Sequence, residues 1–284
     1  MKLSLSARVG EQFFNKRVAA LTLSELADIA VSSGYHAVCM RASQVGVHSS
    51  REQIGEAAAL LNRRGLAVSM ITGDFAIPEN SEAGPAALRA ITPFLDLADA
   101  FDCKLIRVAL RVEEDIEWAR RASLEARERN IRLVHQCHNR SLFEQVEPML
   151  RVVEQIGCDN FGITYEPANL ELCGESYGAD TITRLAPHIF NVYLQNQRLD
   201  PAGPSVINTW CRGPIRFEQI PLWDTRGINF PAVLAQLAAM GYQGHVTVHQ
   251  AGLNTPAIDG SESARYLRSI HGFAPVMGNR SDTR

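Results

Sequence analysis

Short apolar runs and longer stretches of helical spacing alternate eight times along these 284 residues. The runs are KLSLSAR (2–8), HAVCMRA (36–42), AVSMITG (67–73), LIRVAL (105–110), IRLVHQ (131–136), FGITYE (161–166), FNVYLQN (190–196) and HVTVHQ (245–250). A helical stretch follows each run, from LTLSELADIAVSSG after the first to SESARYLRSIHG after the last. A repeated strand–helix order favours a parallel sheet, because each helix returns the chain to begin the next strand in the same direction. Eight repeats favour closure into a barrel, and such barrels use roughly 250 residues. The expected fold is a single α/β domain, a (β/α)8 TIM barrel over 1–273, with a poorly ordered tail over 274–284. Ser24 and Ser50 stand where helices begin, and Gly34, Gly65, Gly157 and Gly241 stand just past helix ends, where a left-handed cap favours Gly. The longest irregular stretch, 197–227, follows the seventh strand. It reads either as a solvated excursion or as a cover for the site.

Apolar residues make up 46% of the chain, enough for a large core, and the net charge is −3. No basic run argues for nucleic acid or an anionic membrane surface. No apolar stretch reaches the ~20 residues needed to span a bilayer. The first residues lack an apolar signal core, so secretion is not expected. The six cysteines are scattered singly, without a CxxC pair. Free thiols and a cytoplasmic location are the corresponding expectation.

Strand side chains alternate between faces with a period of two. With the apolar set turned to the helices, the strand ends place Gln136, Glu166, Tyr193, Gln195 and His249 around one polar mouth. The C-terminal mouth is where such barrels carry their active sites. The same rule turns Arg41 and Arg107 inward. Either arginine could grip a substrate carboxylate or phosphate, or balance an internal acid such as Glu166. Glu166 in turn reads as a site residue or as a buried acid paired with Arg41, Arg107 or Arg132.

The segments VHQCHN (134–139), TYEPANL (164–170), NVYLQN (191–196) and NFPAVLAQLAAMGYQGHVTVHQ (229–250) make the chain resemble the sugar isomerase/epimerase family with the xylose-isomerase-like barrel. The resemblance covers nearly the whole chain. It implies one divalent metal on a Glu of the fifth strand, an Asp of the sixth, a His of the seventh and a Glu of the eighth. The matching positions here are Gln136, Glu166, Tyr193 (or Gln195 with a two-residue slip) and His249, and His138 keeps the histidine of a Glu-x-His motif. Only Glu166 retains a carboxylate. A metal held by Glu166, His249 and the Gln136 carbonyl would face less negative charge than usual. Mn²⁺ or Mg²⁺ would bind weakly there and Zn²⁺ would be preferred; a metal-free site is equally consistent.

In the mechanism that the resemblance implies, two carboxylates exchange protons with a carbon beside a polarised carbonyl. Gln136 cannot be a base. His249 is the favoured replacement, with Glu166 and His138 as further catalytic candidates and Arg41, Arg107, Asn169, Tyr193, Gln195 and Trp210 as substrate contacts. The expected partner is a small carbohydrate-like molecule, with self-association left open. The expected function is isomerisation or epimerisation of a small sugar, ketose or polyol derivative. The alternatives are a lyase or dehydratase acting on a keto-sugar or cyclitol, and a barrel that binds a sugar without catalysis.

Overall fold

The computed structural model describes residues 1–12, 14–250 and 252–276. All eight runs form strands: β1 (Lys2–Ser6), β2 (Ala37–Arg41), β3 (Ala67–Thr72), β4 (Leu105–Val108), β5 (Arg132–Gln136), β6 (Phe161–Tyr165), β7 (Ile189–Leu194) and, after three further strands, β11 (His245–Val248). They pair in parallel and close into a barrel, with β11 hydrogen-bonded between β7 and β1. The helices between them are α1 (Leu23–Ser32), α2 (Arg51–Arg63), α3 (Ala76–Glu79), α4 (Ala86–Arg89), α5 (Thr92–Ala100) and α6 (Glu114–Arg127) in the first half. The second half adds α7 (Val146–Ile156), α8 (Pro167–Leu172), α9 (Ala179–Leu185), α10 (Phe230–Ala239) and α11 (Pro256–Ile270).

The period-two pattern sorts the core into two parts. Val38, Met40, Leu133, Ile163, Val192 and Val246 join the large apolar layer between strands and helices. Cys39, Met70, Leu105, Val134 and Tyr193 fill the barrel itself. Some polar residues inside the barrel pair with one another, as in the Ser4–Ser69 hydroxyl pair at 2.7 Å and the Thr247 hydroxyl donating to Asn191 Oδ1 at 3.1 Å. Gly162 is obligatory for packing, since a Cβ there would meet His188 O at 2.5 Å and the Phe190 ring at 2.7 Å.

Gly34, Gly65, Gly157 and Gly241 all hold positive φ, as helix-closing glycines should. Ser24 lies in the first turn of α1, near the helix start as read, but it is not the cap. The cap is Thr22, which forms a reciprocal capping box with Glu25, while Ser50 does the same for α2 with Gln53. Ala274, read as the first residue of a loose tail, is docked. Its N–H donates to Met1 O at 3.0 Å, and its carbonyl lies 2.9 Å from His36 Nε2. Residues 277–284 of that tail lie outside the described residues.

The stretch read as irregular is the main departure from expectation. It holds β8 (Gln197–Leu199), β9 (Ser205–Thr209) and β10 (Gly213–Gln219), an antiparallel sheet in the order β8-β10-β9. The sheet is stitched over the C-terminal mouth. Asn139 Nδ2 donates to Asn208 O at 2.9 Å, Gln197 Nε2 to Ala168 O at 2.7 Å, and Arg212 Nη1 to Leu172 O at 3.3 Å.

Candidate active site at the barrel mouth

Glu166 ends β6 and is fully buried, at 0% exposure. Its carboxylate accepts from Gln136 Nε2, from Gln195 Nε2, and from Asn169 Nδ2 at 2.8 Å. Gln136 comes from β5, Gln195 from just past β7, and Asn169 from the first turns of α8. Burial pushes the carboxyl up to about 7, an effect the amide donors and the nearby Arg107 and Lys16 only partly offset. The expected ion pair with Arg41, Arg107 or Arg132 does not form. Arg41 is bound elsewhere, and Arg132 is exposed, over the Phe190 ring at 4.6 Å.

A cavity of about 340 Å³ opens beside this cluster. Gln136, Asn169 and Gln195 line it, and Glu166 does not. The amides that line the cavity are thus the ones that Glu166 holds from behind. Ile207 and Phe217 of the small sheet form part of the wall, so the 197–227 segment does cover the mouth.

Four cationic side chains face the cavity: Arg8, Lys16, Arg41 and Arg107. Arg41 is neutralised by a buried two-pronged pair with Glu11, at 2.6 and 3.1 Å, and Arg8 lies 3.5 Å from the same carboxylate. Lys16 donates to Pro78 O at 3.1 Å, and burial together with the three arginines pulls its ammonium down to about 8. Arg107 is 2% exposed and makes no hydrogen bond or ion pair among the described residues. Glu11 and Lys16 were invisible to the strand argument because they lie in the connection between β1 and α1, which has no periodicity to read; Arg8 ends the first run but was not singled out.

The two histidines of the mouth differ in their settings. His249 Nδ1 lies 2.9 Å from Ser6 Oγ, and its ring stacks on Tyr193 with centroids 3.8 Å apart. His138 Nδ1 lies 2.9 Å from the Asn139 carbonyl. A carbonyl only accepts, so that nitrogen keeps the proton and Nε2 carries the lone pair. Burial, then the surrounding cations, holds both imidazoles well below the ordinary histidine range, so both are neutral near pH 7.

Two expected substrate contacts lie elsewhere. Tyr193 is two residues deeper, inside the barrel, with its hydroxyl 3.2 Å from Cys39 Sγ. Gln195 is the seventh-strand residue that reaches the mouth. Trp210 lies in the turn between β9 and β10, outside the mouth cavity and 51% exposed under the Arg111 guanidinium.

The donor set does not fit a resident divalent cation. Glu166 is the sole carboxylate at the matched positions, and its oxygens are taken up by three amide donors. Gln136 turns its NH₂ toward that carboxylate, and two uncompensated cations stand close by. Among the described residues, the one tight group of potential ligands is Glu144, Cys173 and Cys211, whose ligand atoms lie within 4.8 Å of one another. That group is outside the mouth cavity, and the Glu144 oxygens accept the Trp210 and Cys211 N–H groups at 2.7 and 2.9 Å.

Residues 27–270 match the family profile described as a xylose isomerase-like TIM barrel. The chain belongs to this family. None of the curated proteins matches the sequence closely enough to count as a relative. Among solved members of the fold, the probable 3-DHS dehydratase AsbF of Bacillus anthracis, involved in petrobactin synthesis, superposes with a TM-score of 0.71 at 16% identity, covering 94% of this chain and 99% of that one. A Mycobacterium smegmatis barrel in complex with magnesium gives 0.71 at 15% identity, with 95% and 96% covered. The D-allulose 3-epimerase of Methylomonas sp. gives 0.68 at 11% identity, with 95% and 98% covered. At these identities the likeness carries the fold and not the reaction. At the positions that the resemblance matches to metal ligands, only Glu166 is a carboxylate.

Proposed function

We propose that this protein is an isomerase or epimerase of a small sugar, ketose or polyol derivative that moves a proton at a carbon beside a carbonyl. The observation that carries the reading is a pair of neutral imidazoles, His138 and His249, on a cavity lined by cations at the C-terminal mouth. A neutral imidazole accepts a proton, and a cation beside a carbonyl oxygen stabilises the enolate that forms. In this scheme the C–H bond breaks, its electron pair passes to the carbonyl oxygen, and His138 Nε2 takes the proton. Arg107 or Lys16 holds the oxyanion. When the neighbouring hydroxyl gives up its proton, the first oxygen takes one up and a proton returns to the former carbonyl carbon, the product is an isomer; return of the proton to the opposite face of the original carbon gives an epimer. No redox partner is needed.

The free-imidazole geometry favours His138 over His249 as base. The Asn139 carbonyl fixes the His138 tautomer with the lone pair on Nε2, whereas the Ser6 hydroxyl can donate or accept and leaves both tautomers open to His249. Neither Glu166 nor Tyr193 reaches the cavity wall. The chemistry uses no resident divalent cation in this reading, because the donors described above do not suit one. A reducing compartment such as the cytoplasm accords with six unbonded cysteines.

A second reading, loss of water from a keto-sugar or cyclitol, rests on Lys16. An ammonium poised at about 8 can protonate a departing hydroxyl after the same carbon deprotonation. Proton NMR in deuterated water tests both. Ketoses, aldoses, keto-cyclitols and their acids and phosphates are incubated with wild type and with His138→Gln. Exchange of a carbon-bound proton in the wild type, slowed roughly 10²–10⁴-fold in the variant, is expected of a general base. Exchange unchanged in His138→Gln and lost in His249→Gln would transfer the role to His249. No exchange with any compound would favour a binding barrel.

A further inference from the structure

Three buried polar atoms of residues on the cavity wall have no partner among the described residues. They are a donor, Arg107 Nε, and two acceptors, Gln136 Oε1 and Asn139 Oδ1. Buried polar atoms without partners are rare in folded proteins, and a buried guanidinium without an acid is rarer. The acids near the mouth are committed elsewhere. Glu11 is held by Arg41 and Arg8, and Glu79 by Arg17 at 2.7 and 2.9 Å. Asp74 accepts the Ile77 N–H at 2.9 Å and Glu166 is enclosed by its three amides; both feel the charge of Arg107, and neither is bonded to it among the described residues. Two cations, Arg107 and Lys16, therefore face the cavity without a carboxylate of their own.

We propose that the cavity takes a sugar acid or a sugar phosphate. Its anionic group would pair with Arg107 and Lys16, and its hydroxyls would donate to the carbonyl oxygens of Gln136 and Asn139. This rests on reading the mouth as the active site and names the substrate class for it. The complementarity has two parts. A carboxylate or phosphate accepts what the guanidinium offers, and a polyol supplies the O–H donors that two orphaned carbonyl oxygens lack. A neutral sugar would satisfy the second part and leave the charge of the cavity uncompensated. An inorganic anion would do the reverse. The charged groups that face Lys16 are Arg8, Arg41 and Arg107 on one side and Glu11 and Glu79 on the other. A bound anion tips this balance and favours the ammonium.

Calorimetric titration of the full chain provides the test. The probes are four- to six-carbon aldonates, keto-acids and sugar phosphates, their neutral parent sugars, and inorganic phosphate alone. At least one sugar anion should bind about tenfold more tightly than both its neutral parent and inorganic phosphate. Whether carboxylates or phosphates win identifies the anionic group. Arg107→Met should weaken that binding about tenfold or more, and Lys16→Met should weaken it by a smaller factor. If Arg107→Met does not fold, the pH profile of the Lys16→Met variant still decides. Wild-type affinity should fall above pH 8, and that fall should vanish in Lys16→Met. Equal affinity for neutral and anionic sugars overturns the proposal. So does a failure of every anion to bind at millimolar concentration, or affinity unchanged in both variants. Arg107-dependent anion binding without carbon-proton exchange would leave this inference standing and remove the isomerase reading. Exchange on neutral ketoses without anion preference would do the opposite.

Discussion

At the scale of the residue, a carboxylate at the end of the sixth strand serves as the hub of three amides. Because burial lifts the Glu166 carboxyl from 4.5 to about 7, the folded state holds a proton there that the unfolded chain has released. The associated stability is complete below about pH 4.5 and is lost as pH rises through 7, a change of roughly 3 kcal/mol. Melting temperature followed from pH 5 to 8 should therefore decline in the wild type and stay flatter in Glu166→Gln. A steeper decline in the variant would contradict the assignment. Arg107 gives a second expectation. Replacing a buried, unpaired charge with an apolar side chain of similar reach removes a desolvation cost. Arg107→Met should raise stability to urea by about 1–3 kcal/mol while it impairs ligand binding; a large loss of stability would show a protein partner for the guanidinium. Period-two alternation alone sufficed to bring Gln136, Gln195, Arg41, Arg107 and His249 to the mouth. It could not set depth along a strand, so Tyr193 and Gln195 stayed interchangeable. It also could not show that Arg41 meets Glu11, a residue of an aperiodic loop.

At the scale of the element, every barrel strand was legible, because each is an apolar run bounded by turn residues and buried on both sides. The small sheet over the mouth was not. Its strands β9 and β10 alternate half-buried with exposed positions, and Val206 points to solvent while Ile207 faces the cavity. With so few apolar residues, such strands look like loop until their pairing partners are known. The hydrogen bonds that anchor this sheet predict its behaviour. Gln197→Ala removes the bond to Ala168 O and should cost about 1 kcal/mol. Hydrogen exchange should then quicken in residues 205–219 more than in the barrel strands, and uniform quickening would mean that the sheet is not an independent cover. The start of α1 carries a similar lesson. Ser24 lies at a plausible position, but Thr22 has the Glu three residues on that a capping box requires. Thr22→Ala should lower stability by about 1 kcal/mol in urea titration, and Ser24→Ala should change it little.

At the scale of the whole molecule, the alternation of strands and helices dictates a closed parallel barrel. Closure brings chain segments as distant as Ser6 and His249 into contact at one mouth. The closed barrel was legible because it follows from repeated local pattern, and its xylose isomerase-like character was read from the resemblance of four segments. The electrostatic character of the mouth was not, because it depends on which loop acids neutralise which arginines. The assembled site combines cations, amides and neutral imidazoles, and the proposed carbon-proton exchange there proceeds without a resident divalent cation. The most direct measurement is the rate of substrate carbon-proton exchange in deuterated water, before and after exhaustive dialysis against a chelator. The account predicts equal rates, with no gain on adding Mn²⁺, Mg²⁺ or Zn²⁺. Exchange that disappears on chelation and returns with one of these ions would contradict it.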